Sequence, residues 1–173
     1  MTRRIFFALV PPPGVLDAIE AVVNKIHPEM SGRVMQRATL HMTLCFLGDR
    51  TESELQTAYA VGEQLAARQF VVQLDWVERW AKNGILWMGC SQTSQTLNAL
   101  ALQIYNNLAR AGIAGLSPGF MPHVTLLRKT EKSFTGQAVT PISWAVFEFC
   151  LLESSRTSLG AEYRCLRTWP LNV

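Results

Sequence analysis

No Cys-x-x-Cys pair occurs in this chain of 173 residues, whose four cysteines, Cys45, Cys90, Cys150 and Cys165, lie far apart. Structural zinc sites draw on closely spaced ligand pairs, so this spacing speaks against one. Each cysteine falls in an apolar, strand-like segment and reads as a buried free thiol in a reducing compartment. Long apolar runs are missing too. The early run 5-IFFALV-10 is stopped by Pro11-Pro12-Pro13, far short of the roughly 20 residues a membrane helix needs. Its flanks lack the pattern of a cleavable signal peptide, so it reads as a first strand and the chain as cytoplasmic. Charge of one sign is not in excess: 16 Lys+Arg against 13 Asp+Glu give +3, too mild for a dedicated duplex-DNA binder. Walker and Rossmann glycine loops and the His-Glu-x-x-His helix are absent. No low-complexity segment or linker divides the chain.

What is present is a core-forming composition, 49% apolar, and an arginine bias of twelve Arg to four Lys. Arginine is favoured where phosphate or carboxylate is bound bidentately. The pattern alternates strands and helices. Residues 4–10 read as a strand. Apolar Val15, Leu16, Ile19, Val22, Val23 and Ile26 then recur at helical spacing up to Pro28. A strand over 40–48 is expected to close at a Gly48-Asp49 turn. Thr51 and Glu54 offer a capping pattern for a helix to about residue 67. Strands 70–80 and 85–90 flank a turn at Asn83-Gly84, and a helix over 94–111 ends before Gly112. Strand 123–128, a polar loop over 129–140, and strands 142–154 and 162–169 complete the reading. Helices interleaved with hairpin-connected strands argue for an α+β fold with largely antiparallel sheet.

Histidine is scarce, and its placement is the strongest signal in the chain. Of three histidines, two occupy one repeated pattern: 40-LHMTL-44 and 122-PHVTL-126 share His-apolar-Thr-Leu, 82 residues apart. That offset is near half the chain, as expected if two similar lobes each contribute one central strand. Side chains i and i+2 of a strand share a face, so His41 should stand beside Thr43, and His123 beside Thr125. A lone histidine in an apolar strand is ordinarily a hydrogen-bonded core residue, and threonine is common in strands. Two unrelated core histidines have no reason to share a Thr and a Leu at the same offsets.

The chemistry suits a phosphodiester. Opening a cyclic phosphate needs a base to activate water on one side of phosphorus and an acid to protonate the departing oxygen on the other. Imidazole, with an unperturbed pKa of about 6.5, can do either near neutral pH. Threonine hydroxyls on the same face can hydrogen-bond the non-bridging oxygens as charge builds. A Ser-His-Asp hydrolase gives no reason for the repeat, and no carboxylate or histidine cluster accompanies the pair as metal ligands. His27, at a helix end beside Pro28, reads as an exposed capping residue.

The chain resembles the bacterial RNA 2′,3′-cyclic phosphodiesterases, also called 2′-5′ RNA ligases, of the 2H phosphoesterase superfamily. The resemblance rests on 41-HMTLCFLG-48 and 123-HVTLLR-128, supported by 4-RIFFALVPP-12 and 159-LGAEYRCLRTWPL-171. Just before the first tetrad, 36-QRATLH-41 departs from the family pattern. The resemblance implies a single domain over 1–173 of two intertwined, pseudo-twofold lobes, with largely antiparallel sheets, helices outside and a central groove. It implies opening of RNA 2′,3′-cyclic phosphate ends to 2′-phosphates without metal or cofactor, and for some members reversible 2′-5′ joining of RNA. It makes His41 and His123 the acid-base pair, with His123 activating water and His41 protonating O3′. Thr43, Thr125 and Arg128 become phosphate ligands, although strand alternation places Arg128 on the face opposite His123. Phe7 matches an aromatic position, for which core burial is the expectation. The implied partners are RNA 3′ ends or nucleotides with a cyclic phosphate, with no membrane or obligate protein partner. Two rival readings use the same cleft: an RNA- or nucleotide-binding module without turnover, and an esterase for another small cyclic phosphate.

Overall fold

A computed structural model describes residues 2–158 and 160–173; Met1 and Leu159, which opens the last segment of the resemblance, lie outside the described residues. Nine strands and three α-helices follow one another as β1 (Arg3–Leu9), α1 (Pro13–Ile26), β2 (Arg33–Val34), β3 (Met42–Arg50), α2 (Glu52–Gln64), β4 (Phe70–Trp80) and β5 (Ile85–Gly89), then α3 (Gln95–Arg110), β6 (His123–Arg128), β7 (Gln137–Val146), β8 (Glu148–Thr157) and β9 (Gly160–Pro170). The strands form one sheet in the order β7-β4-β5-β6-β3-β1-β8-β9, with β2 added on β6. Every pairing between these strands is antiparallel.

The sheet consists of two four-strand halves. Among the described residues the halves β3-β1-β8-β9 and β6-β5-β4-β7 share one ladder pair, Met42↔Val124, with a separate bridge Arg68↔Asn172 beyond the named strands. Met42 and Val124 are both fully buried, and each follows a histidine of the repeat. The strands beyond that contact are free to splay, which opens a cleft between the two His-x-Thr segments.

Local chemistry explains the helices. Pro13 stands in the first turn of α1, where its missing N–H is no loss, and Val15, Ile19, Val23 and Ile26 form its buried face. Thr51 and Glu54 close a reciprocal capping box on α2. Gly62 of α2 lies flat on the Trp169 ring, where a Cβ would come within 2.4 Å. Ser94 caps α3, whose Leu97, Leu100, Ala101, Ile104 and Leu108 are buried, and Gly112 follows it with φ +85°. No helix among the described residues is long and apolar enough to cross a membrane.

Several expectations need correction. The segment 142–154 is two strands, not one. It breaks at exposed Phe147, and β7 pairs with β4 while β8 pairs with β1 and β9, in the other half of the sheet. The loop expected over 129–140 ends earlier, since β7 starts at Gln137. The strand expected to turn at Gly48-Asp49 runs on to Arg50, which pairs with Arg3; Gly48, with φ +79°, follows a bulge at Leu47. Helix α2 stops at Gln64. Of the cysteines, Cys45 and Cys150 are buried, but Cys90 is only half-buried and Cys165 is exposed. On a two-sided edge strand such as β9 an apolar run does not guarantee burial, and Cys165 meets the hydroxyl of Thr168. His27 is exposed at the end of α1, as expected.

Candidate active site

The two histidines are held in the same way. His41 Nδ1 lies 2.8 Å from the carbonyl oxygen of Thr39, and His123 Nδ1 lies 2.8 Å from that of Met121. A carbonyl only accepts, so each Nδ1 carries the hydrogen, and each neutral ring presents the lone pair of Nε2. His41 Nε2 lies 3.1 Å from Thr43 Oγ1, the same-face neighbour expected from strand geometry. Thr39 is itself fixed in a tight 3-10 turn over Arg37–Thr39, its hydroxyl donating to Gln36 O at 2.7 Å. The segment that departs from the family pattern therefore builds the support for His41.

Each imidazole is also walled by two aromatic rings. Phe6 and Tyr163 each have their centroid 4.9 Å from that of His41, and Trp80 and Trp87 stand 4.7 and 6.2 Å from His123. Sequence reasoning missed all four. Phe6, not Phe7, is the aromatic of β1 at the site. Phe7 is fully buried against Phe149 and Trp169, as expected. A cavity of about 160 Å³ contains both histidines, Thr43, Thr125 and Arg128, and is bounded by Phe6, Phe46 and Tyr163. The structure thus brings together all five residues singled out from the sequence.

Arg128 reaches the cavity because β6 does not alternate simply. Trp87 pairs with Thr125 while its neighbour Leu86 pairs with Leu127, so Leu126 is an extra residue in the ladder. That bulge reverses the phase and turns Arg128 to the face of His123. The first repeat carries the same device: Ala8 pairs with Thr43 and Phe7 with Cys45, which makes Leu44 the extra residue. Phe46 is thereby turned to the cleft, where it is 48% exposed. The leucine of each His-x-Thr-Leu tetrad is the bulged residue. The two halves diverge at the position this exposes, an aromatic in one and an arginine in the other.

Burial sets the electrostatics. It pushes the His41 pKa down to about 4, opposed by the Thr39 hydrogen bond and reinforced by the nearby positive charges of His123 and Arg128. Burial also lowers His123, again opposed by its carbonyl partner and reinforced by Arg128. The cleft's own residues therefore disfavour positive imidazole. Among the described residues no group of three His, Cys, Asp or Glu is placed to hold a metal ion.

The family profile described as the 2′-5′ RNA ligase superfamily matches residues 11–157. Over 173 aligned residues the chain is 29% identical to an Escherichia coli (strain K12) protein named RNA 2′,3′-cyclic phosphodiesterase, spanning 98% of this chain and 97% of that one. It is 27% identical to a Thermus thermophilus protein of the same name, spanning 97% and 90% respectively. The solved structure of E. coli LigT complexed with 3′-AMP superposes with a TM-score of 0.90 at 29% identity, covering 100% of both chains. The profile covers most of the chain and the relatives and fold nearly all of it, and the chain belongs to the 2′-5′ RNA ligase superfamily.

Proposed function

We propose that this chain is an RNA 2′,3′-cyclic phosphodiesterase that opens cyclic phosphate ends to 2′-phosphates, with His41 and His123 as its acid-base pair. The observation that carries this is the pairing itself: two imidazoles, each anchored through Nδ1, share one small cavity with two threonines and an arginine. A binding module has no use for two titrating groups so placed. One neutral imidazole accepts the proton of a water whose oxygen bonds to phosphorus. The other imidazole, protonated, gives its proton to O3′ as the P–O3′ bond breaks, and the phosphate stays on O2′. Thr43, Thr125 and Arg128 hold the non-bridging oxygens as negative charge grows there. We take the two half-sheets as the two lobes of one domain, each supplying one histidine. The partners are RNA 3′ ends.

The direct test is incubation with a short RNA bearing a 2′,3′-cyclic end, followed by identification of the terminal phosphate. A 2′-phosphate product supports the assignment; an unchanged cyclic end, or a 3′-phosphate, contradicts it. Activity is expected to survive exhaustive EDTA treatment, since the pair supplies both proton-transfer groups. Loss on chelation with return on added zinc or manganese would show the two-histidine mechanism to be wrong.

The lowered imidazoles make a specific pH prediction. Catalysis needs one ring neutral and the other protonated. Both groups lie below the ordinary value in the free protein, so raising pH through neutrality removes the acid. Lowering it towards 4 removes the base. The kcat/KM profile, which reports the free enzyme, is expected to be a bell with its maximum on the acid side of pH 6.5. A bound phosphate anion favours imidazolium, so the kcat profile should sit at higher pH. A kcat/KM that rises steadily from about pH 5 to pH 9 would contradict this.

A further inference from the structure

A second and larger cavity, of about 430 Å³, opens beside the histidines and shares Met35, Thr39, Arg128 and Tyr163 with theirs. Among the described residues its lining includes three arginines, Arg33, Arg128 and Arg156, and no carboxylate. Glu162, the nearest acid along β9, alternates with lining residues Ala161 and Tyr163 and so falls on the other face of the strand.

Half of the chain's twelve arginines are tied to acids, and these three are not; Arg68, Arg79 and Arg110 also lack an acidic partner among the described residues but lie outside this cavity, with Arg79 donating to Thr130. Arg3, Arg4, Arg37, Arg50, Arg164 and Arg167 each have an acidic partner. Among the described residues Arg33, Arg128 and Arg156 have none. Arg33 and Arg128 also stand directly opposite each other across the β2–β6 pair, and like charges in that position destabilise a sheet. Gly160 leaves room for the Arg33 head, since a Cβ there would lie 3.2 Å from Nη1. A like-charged cross-strand pair with no acidic side chain beside it among the described residues is an arrangement that an anion would complete.

We propose that this cavity is a subsite for the backbone phosphate of the RNA strand on the 5′ side of the reacting nucleotide. It rests on the function proposed above and sharpens it, making the substrate an RNA strand in preference to a lone nucleoside cyclic phosphate. The continuity of the two cavities supports this occupant. A terminal ribose whose phosphorus lies between the histidines carries its only other phosphate through O5′, and Arg128 borders both spaces. Arg33 and Arg156 then grip the strand without touching the reacting atoms, and their guanidinium groups suit phosphate oxygens.

The test compares the Arg33→Ala/Arg156→Ala variant with the unaltered protein on two substrates. One is a short RNA oligonucleotide with a 2′,3′-cyclic end; the other is a nucleoside 2′,3′-cyclic phosphate with no 5′-phosphate. For the variant, kcat/KM on the oligonucleotide is expected to fall ten- to a hundredfold, with turnover of the nucleoside unchanged within twofold. Binding of the product oligonucleotide, followed by fluorescence anisotropy, should lose salt dependence by about 0.7 in the log–log slope for each phosphate contact removed. The Arg33→Lys/Arg156→Lys variant should keep most of that slope. Thermal stability should not drop, because a like-charge contact is relieved; a purely structural role for Arg33 predicts that it does. Equal losses on both substrates, or an unchanged oligonucleotide rate and salt slope, would overturn the subsite. If the unaltered protein turns over neither substrate, the function proposed above fails, and oligonucleotide binding alone decides the subsite.

Discussion

Replacing His41 or His123 by alanine is expected to lower kcat for a 2′,3′-cyclic RNA end by two to four orders of magnitude, about the usual contribution of a general acid or base. The double variant should be little worse than the poorer single one, because groups that act in one transition state are not additive. Loss of fold is not the expected cause. Met42 and Leu44, and Val124 and Leu126, carry the burial of the two strands, and both imidazoles are only half-buried. Coincident circular dichroism spectra and melting temperatures would check that. A substrate with a better leaving group at O3′ identifies the acid. The family resemblance assigns that role to His41, so the substrate should restore His41→Ala and not His123→Ala. The opposite rescue would reverse the roles. It would also agree with the resting electrostatics, in which burial disfavours a proton on His41 more strongly than on His123. Near-normal turnover by both single variants would remove the two-histidine mechanism altogether.

The sequence disclosed the site's centre because its chemistry is local. His41 and Thr43, like His123 and Thr125, share a strand face through i,i+2 geometry, and the repeat marked them as a pair. Helices with period and caps, such as α3 between Ser94 and Gly112, were equally legible. The rest depends on features without a local signature. Arg128 was assigned to the wrong face because a bulge at Leu126 is a property of the ladder with β5, and leucine is no bulge signal. The break at Phe147 falls inside a strand-like stretch, 144-WAVFEF-149, with no Gly or Pro. Its trace is a phase change, from inward Trp144 and Val146 to inward Phe149 and Leu151. The aromatic walls of Phe6, Tyr163, Trp80 and Trp87 come from four other strands, and only the sheet order places them against the histidines. Arg33 escaped notice because β2 is two residues long.

Thr43→Ala and Thr125→Ala are expected to cost roughly ten- to a thousandfold each in kcat, less than the histidines. Each removes one hydrogen bond to an oxygen whose charge grows in the transition state. The loss should fall on kcat more than on KM, since a contact that strengthens only in the transition state does not tighten the ground state. Serine restores the hydroxyl, so Thr→Ser variants should recover most of the rate, while valine, similar in shape without the donor, should resemble alanine. The two threonines should also differ in one respect. Thr43 Oγ1 lies within hydrogen-bond reach of His41 Nε2, where its proton supports the neutral ring. Removing it should raise the His41 pKa, which lies at about 4 in the intact protein, and move the acid limb of the kcat/KM profile to higher pH. A rate loss in Thr43→Ala with that limb unmoved would confine Thr43 to the phosphate oxygens. No rate loss in either alanine variant would take the hydroxyls out of the mechanism and leave the bound phosphate to Arg128 and the imidazoles.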